Sequence, residues 1–412
     1  MARILFLAHR IPYPPNKGDK IRSWHFLEYL MLRHEIHLGF FIDAEEDLKH
    51  VDFLEKQCCS IEYCFASPLK QKIASLAGFF NGTSLTENAY PSRKMKRFVS
   101  ALIEDKKIDA VFLFSAATFT FLPRDLQGIP IITDFVDVDS AKWEAYADNG
   151  KWPMSMIFGR EAKRLAAFEA KVAQRSVANI LVSENEATLM KGRLAAEISD
   201  DLSILGITNG VNTSVFSPEK YTASISPNQM IFTGAMDYAP NVEAVEWFVH
   251  SVFLRLKKDY SDMEFIVAGR PVAPSVQKLN AYDGVIVLGA VDDMAETISR
   301  SAIVVAPLLT ARGIQNKVLE GMAMGKPVIA TSAANEGINA PDQEAIWIAD
   351  DADSFIAATK ALLNEETAIR MGFTARKFVD QNFNWAASCA SLEDLISKAI
   401  DTTANIESKA VS

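Results

Sequence analysis

The stretch Pro307-Leu308-Leu309-Thr310-Ala311-Arg312-Gly313-Ile314-Gln315-Asn316-Lys317-Val318-Leu319-Glu320-Gly321-Met322-Ala323-Met324-Gly325-Lys326-Pro327-Val328-Ile329-Ala330 decides the fold. The residues just before it, 302–306, are short and continuously apolar, the pattern of a strand covered on both faces. Gly313 opens a helical pattern that starts near Ile314, and Gly325 ends it before a second apolar run at 327–330. A strand, a helix and a strand in that order form a parallel unit with a right-handed crossover.

The same alternation runs outward in both directions. Towards the N-terminus the spacing predicts strands at Arg3–Ala8, 35–41, Ser60–Phe65, Ala110–Phe114, 129–133 and 179–182. Ile21, Trp24, Leu27, Leu30 and Met31 make one apolar helical stripe. Phe158, Leu165, Phe168 and Val172 make another, with Arg160, Glu161, Lys163 and Arg164 outside it. A run at 204–208 leads into Asn209-Gly210-Val211-Asn212, and Pro218 and Pro227 punctuate the residues that follow. A second series then begins, with strands at 230–233, Glu264–Ala268, 285–288, 302–306 and 327–330. A last helix is expected at 386–400, followed by a polar, frayed tail at 402–412. The expected class is α/β, two doubly wound Rossmann-like domains facing across a cleft: 1–207, 208–385, and a helix 386–412 that crosses back.

Composition fits this reading. The chain has 412 residues, 49% apolar and 23% charged, which suits two α/β domains and excludes a wholly disordered or coiled-coil protein. Its net charge of −10 argues against nucleic acid as a general partner. No run reaches the roughly 18 apolar residues of a membrane span. Cys58, Cys59, Cys64 and Cys389 match no zinc or disulfide spacing, so reduced thiols in a cytoplasmic protein are expected.

Gly313 frees backbone N–H groups at a helix N-terminus, which attract a phosphate. Lys317 and Glu320 stand three apart and share a helix face. The cation can meet a diphosphate, and the carboxylate one turn on can accept two hydrogen bonds from a ribose diol. The same pair could equally be a surface ion pair of small energetic weight.

Context separates the two readings. The stretch resembles the donor-site helix of retaining glycosyltransferases of family 4, which have the GT-B fold. The resemblance rests on Gly313, Lys317, Glu320, the Gly321-Met322-Ala323-Met324-Gly325 run and Lys326-Pro327-Val328-Ile329-Ala330. It extends to Asn209-Gly210-Val211-Asn212-Thr213 with Phe216 and Pro218, Thr233-Gly234, Ala268-Gly269-Arg270, Leu288-Gly289 and Phe383-Asn384-Trp385. Gly234 to Asn241 and Asp137 to Trp143 also resemble the sugar transferases of PEP-CTERM/exosortase exopolysaccharide systems. The resemblance implies a retaining, metal-independent hexosyltransferase. Its co-substrate would be a nucleoside diphosphate sugar, and its acceptor a glycan or lipid-linked molecule. It places Gly18, Gly234, Gly269, Arg270, Leu288, Gly313, Ile314, Lys317 and Glu320 at the donor.

Three positions depart from the family pattern. Arg312 stands where a second glutamate is common. The segment 235–241 lacks the usual cations, which leaves Lys317, Arg312 and Arg270 for the diphosphate. The loop after the strand at 129–133 offers Asp134, Asp137 and Asp139 where a histidine is common. Asp137, Arg312 and Lys317 are therefore the candidate catalytic groups. Asp137-Val138-Asp139 also has the form of a metal-binding pair, but Asp351-Ala352-Asp353 repeats it in an expected surface turn. Asp139 or Ser140 as a helix cap is the simpler reading, and no metal is expected.

The loop His9–Arg22 follows the first strand, with Asp19 near a helix N-cap. The resemblance places it over phosphates and acceptor, with Lys17, Gly18 and Arg22 as candidates; a purely structural rim is the alternative. Residues 68–100 carry Lys70, Lys72, Arg93, Lys94, Lys96 and Arg97 against Glu87 alone. That excess could face the inner surface of an anionic membrane or simply water. A GT-B nucleotide-sugar epimerase and a non-catalytic partner subunit of a glycan-synthesis complex stand as alternatives to the transferase. The lack of G-x-G-x-x-G after the first strand argues against a nicotinamide dehydrogenase.

Overall fold

In the computed structural model the described residues are 1–412 apart from 16–17, 67–70, 72–73, 125, 127, 195–201, 222–223, 312 and 412, with side chains 80 and 405–411 also left aside. The chain divides into two compact units, Met1–Thr208 with Ala386–Ser412, and Asn209–Trp385.

The first unit is a seven-stranded sheet, β1 Arg3–Ala8, β2 Glu35–Ile42, β3 Ser60–Phe65, β4 Ala110–Phe114, β5 Ile131–Val136, β6 Ala178–Leu181 and β7 Ile204–Gly206. Its order is β3-β2-β1-β4-β5-β6-β7, and every pairing is parallel. The second unit repeats the plan with β8 Ser226–Thr233, β9 Glu264–Ala268, β10 Val285–Gly289, β11 Ser301–Ala306, β12 Val328–Ala330 and β13 Trp347–Ile348, ordered β10-β9-β8-β11-β12-β13. Strands of parallel sheets are buried on both faces, so Ile4 to Ala8 and Val304 to Ala306 are at most 1% exposed. Both sheets reverse direction beside their first strand, between β1 and β4 and between β8 and β11. Ligands of such sheets collect at the carboxyl ends of those strands.

Several differences from the sequence reading have local causes. β5 starts after Pro130, which has no N–H for the ladder, and runs on to Val136. The two-residue β13 is too short to show a period. The last helix spans Trp385–Val411, so the tail expected to fray is helical, as a stretch free of glycine and proline allows. It docks on the first unit through Leu392 and Ile396, both fully buried, and through Glu393, which meets His34 Nε2 at 2.8 Å.

The helix Met154–Arg175 departs most clearly. Glu161, expected on its outer face, is fully buried and accepts the Leu85 N–H at 2.7 Å and the Thr86 N–H at 3.1 Å. It satisfies backbone donors that would otherwise be orphaned. The helix Gly18–Met31 buries charge too: Lys20 donates to Asp47 at 2.7 Å, and Arg22 is fully buried. Arg22 donates to Asp134 through Nε at 2.7 Å and Nη2 at 3.3 Å, and to the Ile207 carbonyl at 2.8 Å. One guanidinium thus ties the first helix to β5 and to the end of β7. Arg22 was expected in the acceptor or phosphate loop, and this burial corrects that: the side chain belongs to the core.

Arg22→Met should cost about 3–5 kcal/mol, because it strands a buried carboxylate. Arg22→Met with Asp134→Leu should recover most of that. Urea unfolding of both variants checks it; a loss under 1 kcal/mol for the single change would contradict the assignment.

Candidate functional site

Apart from Gly18, the expected donor residues fall within the second unit, at the carboxyl ends of β8 to β11. Gly234 follows β8 with φ +152°, and Gly269 follows β9 with φ +131°. The Gly234 N–H donates to the Ala268 carbonyl at 3.0 Å, and a Cβ on Gly269 would collide with the Gly234 carbonyl oxygen. A Cβ on Gly234 would stand 2.8 Å from Asn241 Nδ2 and 3.3 Å from Lys317 Cε. Two bare backbone turns therefore make room for the stem of Lys317. Its ammonium donates to Asn241 Oδ1 at 2.7 Å and lies 4.9 Å from the centre of the Phe232 ring.

Glu320 stands one turn further along the helix Asn316–Ala323. Lys317 directs its hydrogen bond to Asn241 and not to Glu320, so the pair is not the surface ion pair that the sequence left open. Among the described residues the Glu320 carboxylate has no hydrogen-bond or ion-pair partner. Burial pushes it up to about 7, with Lys317 pulling the other way. Burial also holds Lys317 down to about 8, against the pull of Glu320. A partnerless carboxylate offers its lone pairs to a diol. An ammonium held only by a neutral amide can exchange that amide for a phosphate at little loss.

The helix begins at Asn316 rather than near Ile314, with Gln315 as its N-cap. Gly313, at φ +65°, turns the chain into that start, and Ile314 packs against the core. Arg312 lies outside the described residues. Arg270 is exposed beyond β9, and Leu288 is 47% exposed near the end of β10, unusual for leucine on a strand. Gly289 accepts the Gly269 N–H at 2.7 Å and holds these turns together.

Two supporting residues escaped the sequence reading. Asn241 carries the lysine, and its only sequence signal is its place just after Pro240 at a helix start. Arg376 caps the far end of the helix, donating to the Ala323 carbonyl at 2.5 Å and the Phe216 carbonyl at 2.6 Å. Nothing local marks an arginine 53 residues away as that cap.

The candidates in the first unit are more scattered. Gly18 is exposed at the first residue of its helix, and Lys17 lies outside the described residues. Asp19 sits in the first turn, where burial opposes its charge but His9 and Arg10 outweigh that and hold it well below the usual carboxylate range. Asp137 follows β5 at a turn where Val136 has φ +69°, a strained conformation for a β-branched residue. Lys142 donates to Asp137 at 2.7 Å and to Asp139 at 3.1 Å, while Asp137 Oδ1 is buried with no partner. A lysine therefore bridges the two aspartates. Neither Asp139 nor Ser140 caps the helix Asp139–Asn149; Glu186 accepts the Val138 N–H and Glu169 the Ser140 N–H. The second pair is structural, with Asp351 capping a helix in a reciprocal bond with Ser354. Among the described residues no group of three potential metal ligands occurs.

Residues 227–365 match the family described as Glycosyl transferases group 1. A relative from Klebsiella pneumoniae, "Uncharacterized 44.6 kDa protein in cps region", is 21% identical over 401 residues, covering 93% of this chain and 97% of that protein. Among solved structures, Alr3699/HepE from Anabaena in complex with UDP-glucose superposes with a TM-score of 0.64 at 13% identity, covering 97% of this chain and all of that one. Sucrose-phosphate synthase from Thermosynechococcus elongatus gives 0.68 at 14%, covering 98% and 100%. The fold is GT-B, and the family match with it supports a glycosyltransferase.

The raised pKa of Glu320 has a sign. Its carboxyl holds its proton more tightly when folded than when unfolded, so folding loses stability as pH rises from about 4.5 to about 7. Glu320→Gln removes that loss. The stability of the variant relative to wild type should therefore increase between pH 4.5 and pH 8, as urea unfolding at the two values will show. A constant difference would contradict the burial of an ionisable carboxylate there.

Proposed function

We propose that this protein is a retaining, metal-independent glycosyltransferase of family 4. It moves a hexose from a nucleoside diphosphate sugar to a glycan or lipid-linked acceptor, in exopolysaccharide or other cell-surface glycan synthesis. The observation that carries this is the Glu320 carboxylate, without a partner among the described residues, one helical turn from an ammonium held by Asn241. A ribose diol and a diphosphate are the groups that satisfy both at once. UDP is the first nucleotide to try, because HepE was solved with UDP and with UDP-glucose.

In this reading the bond from the sugar C1 to the diphosphate oxygen breaks and a bond from C1 to the acceptor hydroxyl oxygen forms on the same face. The acceptor proton passes to the leaving phosphate. The part of the protein is electrostatic: Lys317, Arg270, Arg312 and the backbone N–H groups near Gly313 stabilise the charge that gathers on the departing diphosphate. These cations make a metal ion unnecessary for that task. In this reading Asp137 is a further candidate to meet a sugar hydroxyl. Retention, and the PEP-CTERM/exosortase setting, rest on the sequence resemblance. The relative from a cps region is consistent with a surface-glycan role. No helix among the described residues is long and apolar enough to cross a membrane, so any contact with the inner membrane face would be peripheral.

UDP at a hundred times its Kd should raise the stability of the wild type by about 2.7 kcal/mol, a shift of a few degrees. Glu320→Gln should lose at least tenfold in affinity. Affinity should also peak between the pKa values near 7 and 8, falling below as Glu320 gains its proton and above as Lys317 loses its own. A thermal-shift series with UDP, GDP, ADP and dTDP across pH tests all three; no shift with any nucleotide would favour the non-catalytic subunit.

A further inference from the structure

A cavity of about 350 Å³ lies at the carboxyl ends of β2 and β3 in the first unit, apart from every residue discussed for the donor. Phe41, Phe65, Ala66 and Tyr90 line it with apolar surface. Phe65 ends β3 with 44% of its surface exposed, and Phe41 and Tyr90 are in ring contact behind it. The cavity opens on the side of the carboxyl ends of the strands, and its volume falls within the range of small-molecule sites.

Arg93 and Lys94 also line the cavity. They are the first two residues of the helix Arg93–Glu104, and Lys96 and Arg97 follow them with no acid in the first turn. Helix N-termini are already electropositive, so cations there work against the helix. Lys94 is relieved by Glu62, but among the described residues Arg93 has no ion-pair partner. In a chain of net charge −10 this is a concentrated positive patch beside an apolar chamber. A half-open cavity with aromatic walls on one side and cations on the other suits a molecule with an apolar chain ending in a phosphate: the chain lies against Phe65 and Tyr90, and the phosphate meets Arg93 and the helix start.

We infer that this cavity binds the phosphate end of an amphiphile whose chain is apolar. That this amphiphile is the sugar acceptor rests on the transferase reading; that the cavity binds it does not. The basic segment 68–100 thus acts through a defined chamber, with Arg93 and Lys94 as its charged part.

The test is calorimetric titration of the full chain with octyl phosphate, octanol and inorganic phosphate, and separately with UDP. Octyl phosphate should saturate one site, and either fragment alone should bind at least tenfold more weakly. Arg93→Glu should weaken octyl phosphate at least tenfold without lowering the unfolding temperature, since an acid suits a helix N-terminus. Ala89→Trp, which fills the chamber from its wall, should do the same. Octyl phosphate affinity unchanged in both variants would overturn the inference, as would inorganic phosphate or octanol binding as tightly as octyl phosphate. UDP binding should stay at wild-type strength in both variants; loss of UDP binding in wild type would count against the donor site alone.

Discussion

Two glycines that cannot accept a side chain set the geometry of the candidate donor site. Gly234 and Gly269 stack their backbones so closely that a Cβ on the second would meet the carbonyl of the first. That bare surface lets the Lys317 stem pass beside Gly234 and bring its ammonium to Asn241 and the Phe232 ring. The lysine is thereby directed away from Glu320, and the carboxylate is left without a partner among the described residues. The rest of the unit supports this arrangement from behind. Gly321 packs its bare face against Val304 of β11, and Arg376 caps the last turn of the helix.

Holding two charged groups near each other without pairing them is a thermodynamic compromise. A salt bridge would return each side chain closer to its ordinary pKa. The structure instead keeps Lys317 near 8 and Glu320 near 7. Native proteins tolerate such local loss where a ligand repairs it. Some other buried charges are paired closely, as with Arg22 and Asp134 or Lys20 and Asp47.

The sequence made the sheets legible because parallel strands must be apolar on both faces. Runs such as Arg3–Ala8 and Glu264–Ala268 stand out without any alternation. The helix Asn316–Ala323 was legible because Gly313 and Gly325 bracket it. What stayed hidden depends on long-range contact. Glu161 reads as a surface residue until Leu85 and Thr86 arrive to donate to it. Arg22 reads as a loop cation until β5 supplies Asp134, 112 residues later. The Asp137 pair reads as a metal motif or a cap until Lys142 is seen between its members.

The most direct test is a crystal structure of the protein with UDP. The account predicts both ribose hydroxyls within hydrogen-bond distance of the Glu320 carboxylate, and a phosphate oxygen on the Lys317 ammonium in place of Asn241. A nucleotide seated elsewhere, with Lys317 still on Asn241 and Glu320 still without a partner, would contradict it.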